Sequence, residues 1–397
     1  MLYFTRNNYL FSNIKNVSQR FLQRNVLLKK KKKSHSSKSA YECTTLYHSD
    51  KLKTLENKLE ILEKQRAETH SMILKKVTPK INKLKDWICD EKSDIVIIGS
   101  VATGLTLSSN TFTDVVVVSL DEGSNDFVSR FEDNRFFRRD YVKKMGKHIT
   151  ENAFLWNINK DKMTFNLNPL IPVMKLNFGD NTNLKIQFNN YSSLKRTNLL
   201  RYYAVSDPRF RKLYIYVKTL VQNIIVDDNL YGPLGSYNIS LLVAHFLQMS
   251  LKNEQAVLPL LPEIYSSVVS PHLSTNEVVA NLKKPVDVSA IQSLINPKPL
   301  ASHLVVQFID YFANFDFAKN AIHVNKINPI LNVQNVLNSK IQIFDLYSDE
   351  SIDNNDRNLK VFSKSMQYAQ DLVKQGYLID DIPNFDKGEI PKLSFRL

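Results

Sequence analysis

Two β-branched runs constrain this chain most: Ile95–Ile98 stops on Gly99-Ser100, and Val115–Leu120 begins just after a single acidic residue, Asp114. A strand ending on Gly-Ser makes a tight turn whose missing Cβ lets a phosphate approach backbone amides. A carboxylate at the mouth of the next strand is the kind of ligand a hard divalent cation takes. Two more strands are expected at Val173–Phe178 and Leu184–Phe188, joined by Gly179-Asp180-Asn181-Thr182-Asn183, a hairpin composition. In the last strand Leu184, Ile186 and Phe188 share one face, so Lys185 and Gln187 point to the other.

Around these strands the pattern is helical. Leu52, Leu55, Leu59 and Leu62 alternate spacings of three and four, too few for a coiled coil, and predict a helix packed on its own domain. A second helical stretch is expected at His70–Cys89, and from Leu199 onward the chain reads as mainly helical, with loops at Pro271–Thr275 and Tyr347–Asn358. The class is α+β: a helical segment 41–92, a mixed-sheet domain 93–195, a helical domain 196–375 and a tail 376–397. A length of 397 residues suits two domains, and no apolar run approaches the ~18 residues of a membrane span. Cys43 and Cys89 are too few for a disulfide framework or a four-ligand zinc site, and the histidines form no His-x-x-x-His pair. No Gly-x-Ser-x-Gly elbow is present, and His245, inside an apolar helix, reads as a core histidine.

The net charge of +14 points to an anionic partner until it is located. Residues 1–40 carry ten Lys or Arg and no acid, leaving a body of only +4. Spaced basic residues among Tyr9, Leu10, Ile14, Val17, Phe21 and Leu22 read as a mitochondrial presequence. The alternative is a basic tail or a nuclear-localisation run at Lys29–Lys33, with a nuclear or cytoplasmic protein.

The order Gly99-Ser100, Phe188-Asn189-Asn190, Leu199-Leu200-Arg201-Tyr202-Tyr203-Ala204 and Ser206-Asp207-Pro208-Arg209-Phe210-Arg211 resembles the noncanonical poly(A) polymerases and terminal uridylyltransferases, most of all the mitochondrial poly(A) polymerases. Phe246-Leu247-Gln248, Leu258-Pro259-Leu260-Leu261-Pro262 and Phe308-Ile309-Asp310-Tyr311 extend the likeness, which covers about residues 70–375. The resemblance implies a nucleotidyltransferase palm at 93–195 and a helical central and poly(A)-polymerase-associated domain at 196–375. It implies phosphate contacts at Gly99 and Ser100, a triphosphate contact at Lys218, a helix cap at Ser236 and a nucleobase stacked on Tyr237, with ATP or UTP as ligand. Two positions depart from the pattern: Gln222 stands where a second basic residue is usual, and Arg196 where an asparagine contacts the ribose.

The same resemblance implies an Asp-x-Asp pair and a third carboxylate holding two magnesium ions. Counting from Gly99 puts the pair at Thr111 and Thr113; counting back from Leu120-Asp121-Glu122 puts it at Thr113 and Val115; a one-residue insertion puts it at Phe112 and Asp114. Every choice leaves Asp114 as the sole strand carboxylate, and the third position falls on Lys185, whose ammonium would pair with Asp114 or with a triphosphate bound without magnesium. The expectation is a noncatalytic protein with no required metal or cofactor, which binds RNA or a protein partner such as an active paralogue. Two alternatives stand: an active enzyme with magnesium or manganese at a site rebuilt from Asp114 with Asp121, Glu122 or Asp180, and a nucleotide-binding regulatory module.

Overall fold

The computed structural model describes residues 38–397 except 109–111, 121–125, 168, 225–233, 250–254, 327–329, 332–341, 349–351, 353–355, 382, 384–389, 391 and 394–397. The two helical stretches expected before the sheet are one helix, Ser49–Ile88, of 40 residues. Its apolar positions divide by neighbour. Leu52, Leu55 and Leu59 enter a helical core, whereas Ile73, Val77, Ile81, Leu84 and Ile88 enter the core beneath the sheet. Recurrence every three or four residues keeps each set on one face. Between them the inward positions are polar: Glu63 takes Arg66 and Arg211, Arg66 reaches the Gly104 carbonyl, and His70 lies 2.7 Å from that of Val101.

Strands β1 (Ser93–Ile97), β2 (Thr113–Ser119), β3 (Thr164–Asn166), β4 (Val173–Asn177) and β5 (Asn183–Phe188) form a sheet of order β1-β2-β5-β4-β3. The β2–β5 pair is parallel and the others antiparallel. Both faces of β2 are covered, which explains its unbroken valine run. Val115 and Val117 pack with Leu184, Ile186 and Phe188 against the long helix and helix Arg135–Glu151. Val116 and Val118 pack with Val96 and Ile98 against Leu194, Val278 and Val279. The second cover is tied down by Asp94 on β1, which pairs with Lys283 of helix Thr275–Lys283 and lies 2.9 Å from Lys85 of the long helix.

The remainder is mainly helical, built on Tyr191–Ser206, Pro208–Asn223, Ser236–Gln248, Ala301–Ala313 and Asp356–Lys374. Asp207 caps helix Pro208–Asn223 and clamps Arg209, whose guanidinium donates to the Asn296 and Pro299 carbonyls. The Ser206-Asp207-Pro208-Arg209 motif is therefore a structural latch. A small sheet of β6 (Asn320–His323), β7 (Ile330–Leu331) and β8 (Ile343–Phe344), in order β7-β6-β8, interrupts the expected helices, and Asp356–Asn358 begin a helix where a loop was expected. Among the described residues no helix is long and apolar enough to cross a membrane.

His245 is fully buried, with Nε2 3.1 Å from the Tyr311 hydroxyl, and burial lowers its pKa to about 4. Below about pH 6.5 the unfolded chain takes up a proton here that the folded chain refuses until about pH 4. Stability should thus fall by about 3 kcal/mol as pH drops through that window. Urea midpoints between pH 7 and 4 should show a shallower decline in His245→Gln, whatever that substitution costs at pH 7.

Candidate functional site

The sheet, the long helix and the helical part converge where β1 ends. Gly99 has φ +66°, a left-handed backbone, and a Cβ there would lie 3.6 Å from Asp114 Oδ2. That distance is ordinary contact, so it is the left-handed φ that favours glycine here. Helix Gly99–Thr103 makes just over one turn, and its Gly104 cap is also left-handed. The Gly99 amide, expected to face a phosphate, donates instead to Thr197 Oγ1 at 3.0 Å. Ser100 is half-buried, and its carbonyl accepts from the Leu105 amide.

Strand register decides where carboxylates would have to stand. Asp114 shares its face with Val116 and Val118, towards Gly99, and lies across from Lys185 on β5. Thr113 and Val115 belong to the opposite face and are buried, Val115 in the core beneath the sheet. They cannot be vestiges of a metal site, which corrects both ungapped alignments; Thr111 lies outside the described residues. Positions on the correct face are Phe112, Asp114 and Val116, of which only one is acidic.

On the neighbouring strand, Lys185 Nζ sits 3.0 Å from Asp114 Oδ1, and Gln187 Nε2 donates to the same oxygen at 3.1 Å. Asn190 in turn donates to Gln187 Oε1 at 2.5 Å. Lys175, opposite Lys185 on β4, lies 5.3 Å over the Phe112 ring. The one carboxylate thus faces an ammonium and an amide donor, with a second ammonium in the same cross-strand row. A two-magnesium centre needs several oxygen ligands of negative charge, and this donor set does not fit one. Asp180, a candidate for a rebuilt site, is held 2.6 Å from Lys80 of the long helix, behind the sheet. Asp121 and Glu122 lie outside the described residues. Among the described residues no three His, Cys, Asp or Glu side chains gather to hold an ion.

The expected nucleotide contacts are only partly assembled. Lys218 is half-exposed, its ammonium 5.5 Å over Tyr214 one turn back on its own helix. Ser236 is the first residue of its helix, not the cap; Gly235 is the cap, and no side chain bonds there. Tyr237 is partly buried, with its hydroxyl donating to Asp345 Oδ2 at 3.2 Å and the Arg196 guanidinium 5.1 Å over its ring. Burial, then the Asp345 charge, push its phenol well above the usual range, so it stays a donor. Asp345 and Thr197 carry no signal in the sequence, because neither sits in a charged or glycine-rich motif.

None of the known protein-family models matches the chain. Sequence relatives include the poly(A) RNA polymerase gld-2 of Caenorhabditis elegans, 27% identical over 160 residues, covering 39% of this chain and 14% of that one. The GLD2 poly(A) RNA polymerase of Danio rerio is 31% identical over 140 residues, 35% of this chain and 27% of that one. The matches thus span about a quarter or less of these relatives' own length. Among solved structures, mtPAP in complex with UTP superimposes with TM-score 0.60 at 16% identity, covering 82% of this chain and 70% of that one. The GLD-2–GLD-3 complex gives TM-score 0.56 at 20% identity, covering 81% and 96%. The sequence relatives are poly(A) RNA polymerases, and the solved structures give this chain the nucleotidyltransferase fold of the noncanonical poly(A) polymerases.

Proposed function

We propose that this chain is a noncatalytic member of the noncanonical poly(A) polymerase superfamily that serves RNA 3′-end metabolism as an RNA-binding or scaffold subunit. The observation that carries the reading is the Lys185–Asp114 ion pair, an ammonium 3.0 Å from the sole carboxylate on the site face of β2. Metal help in phosphoryl transfer is worth several kcal/mol, roughly a thousandfold or more in rate, and this site has no ligand set to supply it. A body of only +4 favours a protein partner as much as RNA. Likeness to GLD-2, whose structures are complexes with RNP-8 and with GLD-3, supports a protein partner. The acid-free basic leader supports a mitochondrial location.

The test is to incubate the full chain with a labelled RNA primer and each nucleoside triphosphate in magnesium or manganese, and to run the same primer on a native gel with and without EDTA. The expected result is an unextended primer, with any RNA retention unchanged by the chelator. Metal-dependent extension abolished by Asp114→Ala would overturn the reading in favour of a rebuilt catalytic site.

A further inference from the structure

Arg196, Tyr237 and Asp345 form a knot independent of the metal positions. Asp345 follows β8, and its side chain has no exposed surface. One carboxylate oxygen accepts from Arg196 Nε at 2.8 Å and from the Tyr237 hydroxyl at 3.2 Å; the other accepts the Tyr347 amide at 2.8 Å. The guanidinium lies 5.1 Å over the Tyr237 ring. Arg196 is thus held twice, by a charge-assisted bond to a buried carboxylate and by a cation–π contact. Its neighbour on the helix, Thr197, accepts the Gly99 amide, so the knot borders the Gly-Ser turn.

We propose that Arg196 is a built-in occupant of the nucleobase seat: the chain's own guanidinium takes the ring face of Tyr237, Asp345 locks it there, and nucleoside triphosphates are shut out whatever their base. The proposal rests on the superfamily likeness only in taking Tyr237 as the stacking face. A purine or pyrimidine reaches that face by lifting Arg196 away, which leaves the buried Asp345 carboxylate without its cation and with only the Tyr237 hydroxyl and the Tyr347 amide as donors. A buried carboxylate deprived of its cation is strongly disfavoured. Stacking is tolerant of base identity, and so is a block that acts on the stacking face. Loss of metal ligands disables the phosphate end of the pocket; Arg196 closes the base end. Repairing one end alone leaves the other shut.

The test is equilibrium binding of labelled ATP and UTP to the full-length protein, with and without EDTA, for the natural chain, Arg196→Ala and Asp345→Asn, each first checked for an unchanged circular dichroism spectrum and a cooperative melt. Arg196→Ala should bind both nucleotides at least tenfold more tightly than the natural chain, and Asp345→Asn, which keeps the shape of the buried group but weakens the lock, should fall between. Should Arg196→Ala fail to fold, Asp345→Asn carries the comparison. Equal binding by the natural chain and a folded variant, tight or absent, would overturn the proposal. Tight binding by the natural chain without primer extension would defeat this inference and leave the noncatalytic reading standing; extension would defeat that reading instead.

Discussion

Replacing Glu63 by alanine is expected to cost about 3–5 kcal/mol of folding stability, the range for breaking a buried ion pair and stranding its partners. Glu63 lies where the long helix passes from the helical core to the sheet core, with Oε2 2.7 Å from Arg66 Nε and Oε1 2.5 Å from Arg211 Nε. Arg66 continues to the Gly104 carbonyl beside the Gly-Ser turn, and Arg211 to that of Ala204. Without the carboxylate, two guanidiniums only 8% and 20% exposed are left facing one another. Burial alone would raise the Glu63 pKa, yet Arg66 and then Arg211 outweigh it and hold the carboxyl below its usual range. A depressed folded-state pKa means stability that is present above the unfolded value and lost as pH falls through the folded one, so the natural chain loses this contribution in acid below about pH 4.5 and Glu63→Ala has none to lose. Urea unfolding at pH 7 and pH 4 measures both effects. A loss under about 1 kcal/mol at pH 7 would mean that the knot is no stronger than an exposed pair.

The largest functional effect is expected from rebuilding the site on the face that the register identifies. Lys185→Asp combined with Phe112→Asp gives Asp114 two carboxylate neighbours, and Arg196→Asn clears the base seat. This triple variant should extend an RNA primer in magnesium or manganese at least roughly a thousandfold faster than the natural chain, since each 1.36 kcal/mol of restored metal stabilisation is worth tenfold. Variants without Arg196→Asn should gain metal affinity with little extension. Thr113→Asp and Val115→Asp serve as wrong-face controls. Both residues are buried, so a carboxylate there is expected to destabilise the protein without gaining metal. Activity in a wrong-face variant would show that the register assigned to β2 is incorrect.

Much of the fold is legible because period-two alternation and β-branched runs mark β1, β2, β4 and β5, and the same alternation already sets Lys185 and Gln187 on one face. The side of Asp114 is not legible, because the turn from Gly104 to Phe112 has no periodicity and a one-residue miscount exchanges the faces. Pairing of Ile97 with Val115, and of Asp114 with Lys185, resolves it. The long helix reads as two because its apolar stripe lapses at Glu63, Arg66 and His70, where the inward positions bond to charges and carbonyls. Strands β7 and β8, two residues each, are too short to carry a pattern. Asp345 lies just before the expected loop Tyr347–Asn358, in a part of the chain that reads as helical, and its importance comes wholly from the partners that the fold brings to it.

A metal centre at Asp114 would need a carboxylate where the Lys185 ammonium stands. Whether that ammonium keeps ions out is measured by titrating the full chain with manganese and following the free ion by electron paramagnetic resonance. The natural chain is expected to remove no stoichiometric ion from solution at sub-millimolar concentration, and Lys185→Asp with Phe112→Asp to remove one. Stoichiometric binding by the natural chain, abolished by Asp114→Ala, would show that Lys185 does not displace a metal ion from this site.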